Sequence, residues 1–265
     1  HPRFIGKTGL GPYGDFVMNV DDAVGQVLRA LDETKLADNT LVIFTSDNGS
    51  FMYRVNDEDD HVKTPGKQQY HAKNHTATGP WRGTKPDIWE GGHHVPFFAR
   101  WPGTITAGGV VNGQASHVDL LPTFCELAGA PLPKDRKIDG RSLVKLLKQG
   151  RGDQHHEYVY HTWDRYFPNP DKRWSVSDQR WKLVGMFTKT APDPKKWRLY
   201  DLKNDPGENK NLAAKHPETV SRLRKAFMDW FVDVTDGKTY RPVAIPVGHE
   251  RENPVELQPS WATWK

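Results

Sequence analysis

Cysteine and long hydrophobic runs are the two features that this 265-residue sequence most lacks. It contains one cysteine, Cys125, which excludes an intrachain disulfide and a multi-cysteine zinc site. No apolar stretch approaches the ~20 residues that a helix needs to cross a bilayer, so we expect no membrane span. The chain opens on His1 without a methionine or an apolar leader, and we interpret it as an internal or processed piece.

Positive charge is present but is not concentrated in one place. Lys and Arg number 37 against 33 acidic residues, a net charge of +4, and they are scattered along the chain. This distribution is typical of a solvated surface, so we expect no nucleic-acid partner. Ten Trp and eleven Phe indicate packed structure, and the length suits one large domain or one and a half.

The first part of the sequence alternates helical and strand-like patterns. Apolar residues recur at helical spacing between Asp15 and Thr34, and further helices are predicted at residues 118–128 and 142–148. Two apolar runs, residues 41–44 and 95–98, predict interior strands of one sheet, of the type found in parallel sheets. The long polar loop between them, residues 50–84, is typical of a functional site. We therefore expect a mainly parallel α/β unit over residues 1–152.

Beyond Gly150 the pattern changes to short β-like segments. Those at residues 158–161, 174–176, 181–184 and 197–200 predict a small antiparallel sheet, and a helix at residues 217–232 is expected to pack on it. We interpret residues 153–234 as an α+β subdomain. The tail from residue 235 to 265, with little periodicity, is expected to be extended over the surface.

Asp47 and Asn48 follow the first apolar run directly. Ligands of open α/β sheets collect where strands end, and adjacent carboxylate and carboxamide oxygens suit calcium or magnesium. On these residues alone, an ordinary turn is the favoured interpretation of Asp47-Asn48-Gly49.

The second motif is the glycine-rich segment from Gly79 to Gly92, which contains Arg82 and Lys85. It lacks the G-x-x-x-x-G-K-[ST] pattern, so a P-loop is excluded. Taken alone, Lys85 would be a solvated loop lysine.

Together these segments resemble the sulfatase family, most closely its bacterial arylsulfatase-like members. The resemblance lies in their order and spacing. Its segments are Gly11-Pro12-Tyr13-Gly14-Asp15, residues 38–49, Arg82-Gly83-Thr84-Lys85 through Glu90-Gly91-Gly92, Val95-Pro96-Phe97 with Arg100-Trp101-Pro102-Gly103, Asp119-Leu120-Leu121-Pro122-Thr123, and Leu199-Tyr200-Asp201-Leu202 with Asn204-Asp205-Pro206-Gly207-Glu208.

The resemblance implies an alkaline-phosphatase-like α/β fold and sulfuric ester hydrolysis. It makes Asp47 and Asn48 ligands of a divalent cation, usually Ca²⁺ with Mg²⁺ possible, and Lys85 a catalytic contact of the sulfate group. The implied substrate is an aryl or carbohydrate sulfate ester, and relatives of this type are periplasmic or secreted.

The family's nucleophile is a formylglycine made within a C/S-x-P-x-R motif, and the sequence has no such motif. Cys125 lacks the required Pro and Arg, and we interpret it as a core cysteine on a helix. We therefore expect the nucleophile in an N-terminal half that this chain requires. The isolated chain is predicted to be inactive, to expose apolar surface and to aggregate.

Two histidines, His1 and His75, are weaker candidates for catalytic or substrate-binding residues. The family has an active-site histidine in an H-x-P context, whereas His1 is followed immediately by Pro2, so the register differs. His75 lies on the long loop before Arg82 and is a candidate for the substrate rim. A zinc site built from His71, His75, His93 and His94 is disfavoured, because no H-E-x-x-H motif occurs.

Two alternatives to a sulfatase stay open. A phosphodiesterase or phosphonate hydrolase of the same superfamily would bind an anion of similar shape and charge. A non-catalytic fragment that binds an anion or a partner protein would explain the missing nucleophile. It would also leave a bare sheet edge.

Overall fold

The computed structural model describes residues 1–50, 75, 77–85, 87–150, 155–163, 173–187, 192–235, 245–247 and 255–257. The chain divides into two compact units. The first unit comprises residues 1–159 together with 206–208, and the second comprises residues 160–205 and 209–265.

Three of the described α-helices of the first unit begin and end close to the predicted positions, whereas the short helix at residues 90–93 was not predicted. Helix α1 is Gly11–Glu33, α2 is Glu90–His93, α3 is Leu120–Ala128 and α4 is Val144–Gln149. Gly129 and Gly150 end α3 and α4 with φ of 64° and 60°, the left-handed conformation that glycine adopts without steric cost.

The two apolar runs of the first unit form a pair of strands, β1 (Val42–Thr45) and β2 (Phe97–Arg100). They share one sheet, as predicted, but they run antiparallel, with Val42 opposite Arg100. The expectation of a parallel arrangement is wrong for this pair. An apolar run predicts a strand, but it carries no information on the direction of the neighbouring strand.

The burial predicted for these strands is also wrong. Phe44, Phe97 and Phe98 are 36%, 39% and 65% exposed. Among the described residues these two strands form their whole sheet, and each makes its main contacts with the other. The exposed phenylalanines agree with the apolar surface expected of the isolated chain. Cys125, predicted to be a core residue, is only half-buried on α3.

The second unit has a four-stranded sheet in the order β3-β4-β5-β6, from Val159–Trp163, Arg173–Ser177, Trp181–Phe187 and Pro192–Asp201. β4, β5 and β6 pair antiparallel, as predicted. Helix α5 (Pro217–Thr235) buries an apolar stripe made of Val220, Leu223, Phe227 and Phe231. Its spacing of three and four residues is that of one helix face, and the helix packs on β4 and β5.

The tail contains more order than the sequence indicated. Strands β7 (Ile245–Val247) and β8 (Val255–Leu257) pair antiparallel with one another. Among the described residues, no helix has both the length and the apolar character needed to cross a membrane.

Candidate functional site

The segment after β1 turns sharply and presents two oxygen-bearing side chains. The hydroxyl of Ser46 donates to the carbonyl of Asn48 at 2.9 Å, and the Asn48 side-chain nitrogen donates to the carbonyl of Gly49 at 3.1 Å. Asp47 is exposed and Asn48 is half-buried. The turn interpretation and the ligand interpretation are therefore compatible, since the turn is what presents the oxygens.

Main-chain hydrogen bonds join this turn to the glycine-rich segment. The amide of Gly49 donates to the carbonyl of Gly92 at 2.9 Å, and the amide of Lys85 donates to the carbonyl of Ser50 at 2.9 Å. The backbones approach so closely that a Cβ on Gly49 would overlap the carbonyl oxygen of Gly91. Glycine is required here because no side chain fits between the two segments.

Lys85 sits at a turn stabilised from within its own loop. The amide of Asp87 donates to the carbonyl of Thr84 at 2.7 Å, and the amide of Thr84 donates to the Asp87 carboxylate at 2.9 Å. Lys85 is exposed, and its main chain bonds to a residue two positions after Asn48. The structure thus brings the segments of Asp47, Asn48 and Lys85 together.

Arg82 and Glu208 hold the base of this loop. The Arg82 guanidinium lies 4.1 Å from the ring centre of Trp89 and donates through Nη1 to the main-chain carbonyl of Glu208 at 3.1 Å. The Glu208 carboxylate accepts the Glu90 amide at 2.7 Å and is fully buried. Sequence reasoning assigned no role to Glu208, because 118 residues separate it from Glu90.

The two weaker histidine candidates make contacts elsewhere. The Nδ1 of His1 accepts the Arg3 amide at 3.4 Å and caps a short 3₁₀ helix. The ring of His75 lies 6.0 Å from that of Tyr13, beside the start of α1. Neither described contact joins these histidines to the loop of Lys85, and their roles stay predictions. His71 lies outside the described residues.

His93 and His94 behave as flanking residues. His94 Nδ1 lies 3.0 Å from the Glu90 carboxylate, and His93 Nε2 lies 3.1 Å from the carbonyl of Ile88.

A second cluster that sequence reasoning missed surrounds Asp119. This fully buried carboxylate accepts the amides of Ser116 and Arg141, each at 2.8 Å. His156 Nε2 lies 2.7 Å from one carboxylate oxygen, and His155 Nε2 lies 3.5 Å from the other. Asp119 and the two histidines could hold a metal ion, since their ligand atoms lie within 4.8 Å of one another. The hydrogen bonds from the two amides also make Asp119 a structural anchor for the start of α3.

Comparison with known proteins agrees with this arrangement of motifs. A model of the sulfatase family matches residues 7–130, and a model of the C-terminal region of N-sulphoglucosamine sulphohydrolase matches residues 84–231. Mouse steryl-sulfatase is 35% identical over all of this chain and 42% of its own length. N-acetylgalactosamine-6-O-sulfatase of Bacteroides thetaiotaomicron is 32% identical over 84% of this chain and 42% of its own length.

Solved structures give the same result. A Bacteroides thetaiotaomicron structure, from a genetic locus for metabolism of multiple glycosaminoglycans, is 29% identical with a TM-score of 0.65, over 86% of this chain and 46% of that one. A Pseudoalteromonas sulfatase is 26% identical with a TM-score of 0.63, over 84% of this chain and 42% of that one. These neighbours confirm the alkaline-phosphatase-like fold class. The chain spans less than half the length of these relatives, and it belongs to the sulfatase family.

Proposed function

We propose that this chain supplies one part of the active site of a sulfatase that hydrolyses sulfate esters. One observation carries the proposal: the turn of Asp47 and Asn48 is hydrogen-bonded through its main chain to the loop of Lys85. These hydrogen bonds join the two main-chain segments that carry the proposed oxygen ligands and the lysine ammonium. A sulfate ester requires positive charge at its oxygens when the bond to the alcohol breaks.

Asp47 and Asn48 would hold a divalent cation through their side-chain oxygens. The Asn48 nitrogen donates to Gly49, so its amide oxygen is the atom offered to a cation. An exposed carboxylate and an amide oxygen form a hard donor pair suited to calcium. When bound, the ion supplies positive charge to the sulfuryl oxygens. Since calcium takes ~6–8 oxygens, further ligands must come from elsewhere in the complete protein.

Lys85 would contact the sulfate group directly. Its exposed position leaves the ammonium accessible to an anion, and the bond from its amide to Ser50 fixes its main chain. The nucleophile must be a group that this sequence does not provide, and we propose a formylglycine elsewhere in the complete protein. Since the relatives are named for steryl and N-acetylgalactosamine sulfates, we propose a steroid, aryl or carbohydrate sulfate as substrate. We also propose that the protein is periplasmic or secreted.

The test compares variants of the complete protein that contains this chain. Lys85→Ala should lower turnover of nitrophenyl sulfate by roughly 100-fold, because a preorganised contact to a developing anion is worth ~3 kcal/mol. Lys134→Ala, at an exposed lysine, is the matched control. Equal rates for the two variants would refute the role of Lys85.

A calcium titration tests the metal ligands. Asp47→Ala and Asn48→Ala should each raise the calcium concentration required for activity, whereas Asp139→Ala, at an exposed aspartate, should not. Nitrophenyl phosphate serves as the comparison substrate. Faster cleavage of the phosphate than of the sulfate would favour a phosphate-ester hydrolase instead.

A further inference from the structure

The short segment Pro206–Glu208 belongs to the first unit, although the residues on both sides of it belong to the second. The carboxylate of Asp205 accepts the amides of Asn209 and Lys210 at 2.9 and 2.8 Å, which closes a tight turn around the segment. Glu208 adopts φ of 51°, which is uncommon outside glycine. Backbone strain of this kind persists where surrounding contacts determine the conformation.

Glu208 contacts the Lys85 loop at two separate points. Its buried carboxylate accepts the amide of Glu90, and its main-chain carbonyl accepts Nη1 of Arg82. One residue therefore holds both the beginning and the end of the segment that carries Lys85. The hydrogen bond that a main-chain amide donates to a buried carboxylate is charge-assisted and therefore strong.

The contacts continue from these two points to the proposed site. The amide of Gly91 donates to the carbonyl of Arg82 at 2.7 Å, which closes the loop on itself. Within the closed loop, the amide of Lys85 donates to Ser50, and Gly49 donates to Gly92. Displacement of Glu90 or Arg82 would therefore move Lys85 relative to the turn of Asp47.

We propose that Glu208 is a positioning residue that sets the geometry of the sulfate-contacting loop through Glu90 and Arg82. The inference rests on the proposed function, because it assigns Glu208 to the same site. Glu208 does not touch the substrate in this proposal. Its effect on the reaction passes through Lys85, and that dependence separates positioning from a general contribution to folding.

A double-mutant cycle in the complete protein tests this dependence. Glu208→Ala should lower kcat for nitrophenyl sulfate by about 10-fold or more, since small misplacements of a catalytic group are costly. In the Lys85→Ala background, the same substitution should cost less than about 3-fold, because the group being positioned is gone. Equal losses in both backgrounds would overturn the proposal. Glu218→Ala, at an exposed glutamate of α5, is the control.

Two conservative variants keep the test decisive if Glu208→Ala does not fold. Glu208→Gln retains the length and the accepting oxygen but loses the charge, whereas Glu208→Asp retains the charge but is one methylene shorter. The side chain at position 208 must be long enough to accept the hydrogen bond of the Glu90 amide, so the Gln variant should keep more activity than the Asp variant. An Asp variant as active as the wild type would contradict the proposal.

Hydrogen exchange separates this inference from the proposed function. Glu208→Ala should speed amide exchange at residues 82–92 by at least about 10-fold while leaving β4 and β5 unchanged. If Lys85→Ala retains full activity, the proposed function fails, and the exchange at residues 82–92 still decides whether Glu208 orders the loop. If Lys85→Ala is inactive and Glu208→Ala changes neither exchange nor kcat, only the positioning role fails.

Discussion

The two units of this chain bury different kinds of side chain. Among the described residues of the first unit, the side chains with no exposure are polar, namely Asp119, Thr123 and Glu208, while the apolar Ile88, Trp89, Leu143 and Val144 keep a few per cent. In the second unit most of the fully buried described side chains are apolar or aromatic, namely Trp174, Val176, Leu183, Leu199, Tyr200, Leu223 and Phe227, alongside Ser175 and Lys182. The first unit also exposes Phe98, which is 65% accessible, whereas Phe227 has no accessible surface.

Buried apolar and buried polar side chains contribute differently, the former mainly to stability and the latter mainly to the geometry of the fold. Apolar burial contributes about 25 cal/mol per Å² without directional preference, so the second unit has its own source of stability. Buried polar groups contribute less net free energy, but they fix particular distances and angles, because an unpaired buried group is costly. Buried polar groups therefore contribute more to fixing side-chain positions in the first unit, and apolar packing contributes more to the stability of the second.

The largest expected effect is in the second unit. Phe227→Ala should lower the free energy of unfolding of that unit by roughly 3–5 kcal/mol, since it removes a ring stacked 4.1 Å from Trp174. Phe98→Ala, at an exposed ring, should cost far less. Amide exchange in β4 and β5 measures the effect of Phe227→Ala, and amide exchange in β1 and β2 measures that of Phe98→Ala. Similar losses for the two variants would erase the contrast between the units.

A polar substitution should have the next largest effect, in the first unit. Asp119→Ala leaves the amides of Ser116 and Arg141 without their acceptor and should cost roughly 3 kcal/mol. Asp139→Ala is the matched control at an exposed aspartate. Amide exchange in α3 is the measurement, and a loss no larger than that of the control would argue against a stabilising role for the buried Asp119 carboxylate.

The smallest expected effect depends on pH. Hydrogen bonds from the amides of Gly6 and Thr8, and from the Thr8 hydroxyl, hold the pKa of Asp15 below its usual 3.8. A lowered folded-state pKa gives stability that is present above 3.8 and is lost as pH falls through the folded value.

Asp15→Asn should therefore reduce the protection of the Gly6 and Thr8 amides at neutral pH, and the difference from wild type should shrink below pH 3.8. Protection factors measured across this range check the direction. In the second unit, β4 and β5 should show no change between the two proteins. A difference between variant and wild type that grows as the pH falls would contradict the argument.

Local patterns predicted the elements well, because their signals lie within a few residues. Helical periodicity predicted α1, and Gly129 marked the end of α3. The direction of β2 and the exposure of Phe98 depend on neighbouring strands, about which the run of apolar residues carries no information. The strands β7 and β8 have three residues each, too few for a periodic signal.

Part of the candidate site was predictable because some of its residues lie in recognisable local segments. Asp47 and Lys85 lie in segments whose order resembles a family, so they could be named from the sequence. Glu208 and Asp119 also lie in segments of this resemblance, but their roles depend on contacts between residues far apart in sequence. A buried carboxylate has no sequence signature of its own, since most glutamates and aspartates are exposed.

The composition of the first unit from two stretches of chain has a practical consequence. A protein shortened to end at residue 159 would retain Asp47, Asn48 and Lys85 but would lack residues 206–208. Such a truncation would remove the acceptors of the Glu90 amide and of Arg82 Nη1. No single cut in this chain yields the whole first unit without the second, so isolation of the first unit requires deletion of residues 160–205, bridged by a linker, together with removal of residues 209–265.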